Sequence, residues 1–259
     1  MTAHPPALSV RGLNRAFGGL VVAADIDVEL ARGDRVALIG PNGAGKTTFV
    51  NLVSGVLKPS AGRILIDGED VTARSDVERA RRGLVRSFQV SRLFHDLTVR
   101  EHIELAALQR LGRTDRLFAA IGRMRDIRED VDKLAEDLGL VDVIDRRVET
   151  IAYGQQRLVD IAMSLALRPK VLLLDEPAAG VPRPESERIL AAIDRLPADI
   201  AVLMIEHDMD LVFRFAARVV VLAAGRVVFT GTPAETATDA RVRAAYLGSY
   251  GQEGARHAG

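Results

Sequence analysis

Cysteine is absent from this 259-residue chain, which excludes a disulfide framework, an iron–sulfur site and a thiol nucleophile. Net charge is absent as well. The 35 basic residues balance 35 acidic ones, which argues against a protein that grips nucleic acid by bulk charge. No stretch approaches the ~20 apolar residues of a membrane-crossing helix. The opening MTAHPPALSV shows neither a basic leader nor an apolar signal region, so a soluble, cytosolic chain is expected. Lysine is scarce: Lys46, Lys58, Lys133 and Lys170 are the only four among the basic residues, and each invites a reason. What is present is ordinary globular composition, with 48% hydrophobic and 27% charged residues, enough for a sizeable core in one large domain or two small ones.

Three apolar runs organise the chain. DRVALIG starts at Asp34, VLLL at Val171–Leu174 ends in Asp175-Glu176, and AVLMI at Ala201–Ile205 ends in Glu206-His207. Runs that do not alternate suit parallel strands covered on both faces, and polar residues at their carboxyl ends lie where open α/β sheets bind ligands. LVVAADIDVEL and RILID read as further strands near the N-terminus, and RVVVLAAGRVVFTG as two strands joined at Ala223-Ala224-Gly225. From Val99 to about Leu167 the composition turns to Arg, Asp, Glu, Leu and Ala, as expected of amphipathic helices. Thr98-Val99-Arg100-Glu101 fits a capping box with a helix starting at Val99. The expected organisation is an α/β core over about 8–87 and 168–248, a helical insert between them, and a frayed tail at 249–259. The Arg-rich stretch from Arg74 to Arg86 reads as a solvated helix face.

Gly40-Pro41-Asn42-Gly43-Ala44-Gly45-Lys46-Thr47 matches G-x-x-x-x-G-K-[ST] directly after a strand, with Thr47-Thr48 opening a helix. Glycines let the backbone wrap phosphates, the helix start points free N–H groups at them, and Lys46 adds a mobile positive charge. Thr47 offers a hydroxyl to Mg²⁺. Asp175 is placed to hold that cation through water, and Glu176 to deprotonate an attacking water. His207 belongs to the same sheet edge, where an imidazole reaches a γ-phosphate. Gln89, before the insert, has an amide that suits both metal and water. His4, His95, His102 and His257 are given no role.

GPNGAGKTT, SFQ, IAYGQQR, VLLLDEP and IEHD, in that order, resemble the ATP-binding subunits of ABC transporters over about Leu8 to Gly248. The resemblance implies an α/β P-loop NTPase with a mostly parallel sheet, an antiparallel N-terminal β part and a helical subdomain. It also implies ATP and Mg²⁺ as ligands and places Phe17 against adenine, although Phe17 could equally be a core residue. Two such domains would sandwich two ATP molecules, with Ala152, Tyr153, Gly154 and Gln155 facing the phosphate loop of the other subunit from a helix that starts near Gln155. FQVSRLFHDLTVREHI, DEPAAG and AAYLG are most similar to the ATPases of branched-chain amino-acid importers. That implies two membrane permeases docking near Arg92–Leu97, with Leu93, Phe94 and Leu97 otherwise tucked into the insert. It further implies a periplasmic solute-binding protein, a place at the cytoplasmic face of the membrane, and no nucleic acid partner. Two departures stand out: Ala152 and Tyr153 replace the serine and first glycine of the usual LSGGQ signature, and Pro182 replaces Asp or Asn in the loop that crosses the dimer. Competing readings are a lipopolysaccharide-export ATPase, whose signature also has a tyrosine before the glycine, and a non-catalytic nucleotide-binding subunit. A GTP switch lacks its N-K-x-D motif, and a repair ATPase lacks room for its coiled coils.

Overall fold

A computed structural model describes residues 5–87, 93–110 and 124–246. Gln89, Arg92 and the expected 249–259 tail lie outside the described residues. The described strands form two sheets. One is antiparallel, in the order β2 (Leu20–Leu30), β1 (Leu8–Phe17), β4 (Ala61–Ile66), β5 (Glu69–Asp70). The other runs β10 (Arg226–Gly231), β9 (Arg218–Ala223), β3 (Arg35–Ile39), β8 (Ala201–Ile205), β7 (Val171–Asp175), β6 (Leu84–Arg86). It is parallel apart from β10.

Each central strand feeds two cores by simple alternation. Val36, Leu38, Leu173 and Leu203 pack against the antiparallel sheet and α1 (Lys46–Ser54). Ala37, Ile39, Leu172, Leu174 and Met204 face the opposite core. That core also holds buried residues of α3 (Val99–Arg110), α4 (Met124–Asp137), α5 (Tyr153–Ala166) and α6 (Arg183–Asp194). Both faces are dry, so the runs stay apolar without a break, and each buried aliphatic side chain contributes about 1.5–3 kcal/mol. Parallel pairing then aligns the carboxyl ends: Leu38 and Asp175 both pair with Ile205. Asp175 ends its strand, and Gly40 and Glu206 follow theirs, at one edge of neighbouring strands.

The stretch from Arg74 to Arg86 is not a solvated helix face. Only α2 (Asp76–Arg81) is helical there, opened by a Ser75–Glu78 capping box, and residues 84–86 form β6. Arg79 is 1% exposed. Its guanidinium donates to the carbonyls of Leu52 and Val53, at 2.7 Å each, and to those of Thr72 and Arg74. The carbonyls at the end of α1 lack the usual i+4 donors, Leu52 taking only the Gly55 N–H at 3.3 Å, and they carry the negative end of the helix dipole, so a buried cation is stabilised there.

Thr98 and Glu101 form the expected cap, and α3 starts at Val99. His102, given no role from the sequence, is fully buried. Its Nδ1 bonds the Thr98 carbonyl at 2.8 Å while Nε2 accepts the Phe94 N–H at 2.9 Å, and burial pushes its pKa down. The imidazole therefore works as a neutral clamp on the segment before α3. Leu93 packs on the core, whereas Phe94 is exposed rather than tucked in and stacks over the His102 ring.

Candidate nucleotide-binding site

The phosphate loop is shaped by backbone that only glycine tolerates well. Gly45 has φ +101°, and a Cβ there would lie 2.8 Å from the Val22 carbonyl oxygen. As the residue preceding α1 it supplies no side-chain cap, and the first turn of α1 contains no acid. Uncapped N–H groups at the positive end of a helix dipole form a ready anion site. Lys46 Nζ folds back onto the carbonyl oxygens of Gly40 (2.6 Å) and Pro41 (3.1 Å). Burial lowers its pKa, while first Glu176 and then Asp175 act to raise it. Asn42, Gly43 and Thr47 are exposed, Thr48 is half-buried, and Ala44 is buried, tied by its carbonyl to Gly225 N–H at 3.0 Å. The Gly40 backbone also hydrogen-bonds the Tyr246 hydroxyl, whose pKa burial pushes up.

Across the edge, Asp175 ends β7 with a side chain 7% exposed, its Oδ2 accepting from Arg86 Nη2 at 2.6 Å. Glu176 follows with φ +47°, a left-handed conformation uncommon for a non-glycine residue, and its N–H donates to the Ile205 carbonyl at 2.9 Å. Strain of this kind clusters at functional sites. His207, which is exposed, places Nδ1 3.6 Å from Glu176 Oε1 and 3.7 Å from Glu206 Oε2. Glu206 is 2% exposed and its pKa is raised by burial, against the N–H groups of His207, Asp208 and Ala178, which favour the charged form. Its Oε1 has no hydrogen-bond partner among the described residues. The structure thus gathers Lys46, Asp175, Glu176 and His207 at one edge and adds Arg86 and Glu206, which the sequence reading passed over.

Phe17 closes β1 half exposed, so the core alternative falls. The Arg15 guanidinium lies 4.6 Å from the centre of its ring, within range of a cation–π contact. The signature helix α5 starts at Tyr153, two residues earlier than expected, with Ala152 preceding it and offering no side-chain cap. Gln155 Oε1 accepts the Ala152 N–H at 3.1 Å, and Glu185 Oε2, from α6, accepts the Gly154 N–H at 2.9 Å. A Cβ at Gly154 would collide with that carboxylate. Tyr153 is exposed, with the Arg157 guanidinium 5.4 Å over its ring.

The ABC transporter family model matches residues 23–179, a span that runs from β2 through the phosphate loop to just beyond Asp175-Glu176. BraF of Pseudomonas aeruginosa, a high-affinity branched-chain amino acid transport ATP-binding protein, is 38% identical over 94% of this chain and 98% of its own. The chain belongs to the ABC transporter family. LivG of Escherichia coli K12, of the same description, matches with equal identity and coverage. The ADP conformation of MJ1267, an ATP-binding cassette of an ABC transporter, superposes with a TM-score of 0.80 at 26% identity, covering 94% of this chain and 99% of its own. The family and fold are those implied by the motifs.

Proposed function

We propose that this chain is the ATP-binding and ATP-hydrolysing subunit of an ABC importer for branched-chain amino acids or related small solutes. The observation that carries this reading is the 38% identity to BraF and LivG across nearly the full length of both chains. The phosphate loop and the carboxylate pair on one sheet edge support the hydrolytic part.

In this reading the amides of Gly40 to Thr48 and the Lys46 ammonium bind the phosphates, and Phe17 stacks on the base. Among the described residues no three His, Cys, Asp or Glu side chains converge on a metal. Asp175 and Thr47 are oxygen donors that leave most positions of a cation to water and phosphate, the arrangement Mg²⁺ favours beside a nucleotide. Mg²⁺ there neutralises charge on the phosphate oxygens. Glu176 takes a proton from water on its carboxylate, and His207, beside Glu176 Oε1, holds a proton toward the γ-phosphate. Ala152, Tyr153, Gly154 and Gln155 cap the nucleotide of a second ATPase subunit, identical or related, and hydrolysis lets the pair separate.

No helix among the described residues is long and apolar enough to cross a membrane. Attachment to the cytoplasmic face comes through two permease subunits, with a periplasmic binding protein delivering the solute. Replacing Glu176 by Gln is expected to leave Mg-ATP retention intact and lower turnover by about 10² to 10⁴; unchanged turnover removes Glu176 as the base. Reconstitution of the chain in vesicles with a branched-chain amino-acid permease pair and its binding protein is expected to give ATP-dependent leucine uptake. Absence of uptake with ATPase stimulated by lipopolysaccharide replaces the importer with the exporter.

A further inference from the structure

The edge strand β6 is only three residues long, yet its last residue touches two other parts of the site. Arg86 pairs in register with Leu173, two residues before Asp175. Its Nη2 donates to Asp175 Oδ2 at 2.6 Å, and its Nη1 donates to Asn51 Oδ1 at 2.7 Å. Asn51 lies on α1, the helix that opens with Lys46. The Arg86 and Asp175 side chains are 15% and 7% exposed, so water competes little for either bond. One guanidinium therefore spans from the carboxyl end of β7 to the helix of the phosphate loop.

The chemistry of the fork matters. An ammonium concentrates its charge at one point, whereas the planar guanidinium fixes two acceptors at set angles. With Oδ2 held, the Asp175 carboxylate is restrained in rotation, and its Oδ1 would be the oxygen offered to a cation. We propose that Arg86 is a positioning residue for the Mg-nucleotide, anchored on Asn51 and orienting Asp175 through Oδ2. This rests on the reading of Asp175 as the carboxylate that faces Mg²⁺.

Two effects of removing Arg86 oppose each other, and their sign separates them. Deleting a cation next to Asp175 strengthens, by Coulomb's law, the grip of that carboxylate on Mg²⁺. Loss of orientation weakens it, and partners that orient metal ligands typically contribute 10- to 100-fold in affinity. Orientation dominates in this proposal. A salt bridge that only braces the fold would alter thermal stability and leave Mg²⁺ dependence alone.

The test is nucleotide binding to the purified full chain, followed with a fluorescent ATP analogue as free Mg²⁺ is varied, alongside binding in excess EDTA. Arg86→Ala is expected to raise the half-saturating Mg²⁺ concentration about tenfold with EDTA binding changed less than about twofold. Arg86→Lys, which keeps the charge but loses the fork, is expected to fall between that variant and wild type. Asn51→Ala, which changes no charge and frees one anchor, is expected to raise it about threefold and keeps the test open if Arg86→Ala fails to fold. Half-saturation equal to or below wild type in both Arg86→Lys and Asn51→Ala overturns the proposal. If wild type itself binds nucleotide without regard to Mg²⁺, the reading of Asp175 fails and Arg86 with it. If wild type needs Mg²⁺ and the variants behave like it, only the role of Arg86 fails.

Discussion

Two helix starts in this chain treat their free amides in opposite ways. The start of α1 is left open: Gly45 brings no cap, no acid occupies the first turn, and Lys46 rests on carbonyls of its own loop. The start of α5 is partly satisfied from within: Gln155 takes the Ala152 N–H and Glu185 takes that of Gly154. A helix N-terminus attracts an anion wherever its N–H groups are free. The first region is therefore built to receive phosphate from solution. The second holds a carboxylate of its own where, in the proposed dimer, a γ-phosphate arrives from the partner. In that proposed dimer, pairing would exchange one anion for another at α5.

The largest effect should come from closing the open region. Replacing Lys46 by Ala removes the one mobile cation of the loop and is expected to weaken ATP retention at least about 100-fold, since hydrogen bonds to charged groups contribute about 1.5–3 kcal/mol each. Equilibrium dialysis with labelled nucleotide measures it, and retention within a few-fold of wild type would erase the contrast between the two helix starts. A smaller change is expected at the satisfied region. Glu185→Gln keeps an acceptor for the Gly154 N–H but drops the charge, so the displaced group competes less well with phosphate. In a Glu176→Gln background, where ATP-held pairs accumulate, the ATP concentration at half-maximal pairing is expected to fall about fivefold, equivalent to about 1 kcal/mol. Light scattering against ATP concentration checks this, and a midpoint that rises instead makes Glu185 a plain helix cap.

The open region was legible in the sequence because its chemistry is local. The Gly40–Thr47 spacing, the apolar runs and the polar residues that end them sit within a few positions of one another, and parallel pairing does the rest. What the sequence hid are side chains whose partners are remote. Arg79 reads as one more surface charge until the end of α1, 26 and 27 residues away, is laid over it. Arg86 is 89 residues from Asp175 and Glu185 is 31 from Gly154; charge patterning carries no sign of either contact. Glu206 was visible only as part of a polar end to a strand, and its burial depends on packing. The departure from the LSGGQ signature was visible, but its consequence needed the structure. With Ala152 in place of serine, α5 starts without a hydroxyl cap, and the charged acceptor near its start is Glu185 of α6, on the Gly154 N–H.

That substitution offers the finest test of the contrast. Counting from Ala152, Gln155 stands at the third helical position, and its side chain already accepts the Ala152 N–H, which is one half of a capping box. Ala152→Ser supplies the missing half, an oxygen for the Gln155 backbone N–H. A serine in this place is expected to stabilise the chain by about 1 kcal/mol over alanine, raising Tm by about 2–4 °C for a protein of this size. Scanning calorimetry reads that directly. Because the new hydroxyl leaves the Glu185 bond to Gly154 in place, the ATP midpoint for pairing should move less than in Glu185→Gln. A serine variant that pairs as readily as Glu185→Gln would locate the restraint at residue 152 and leave the carboxylate of α6 with no part in it.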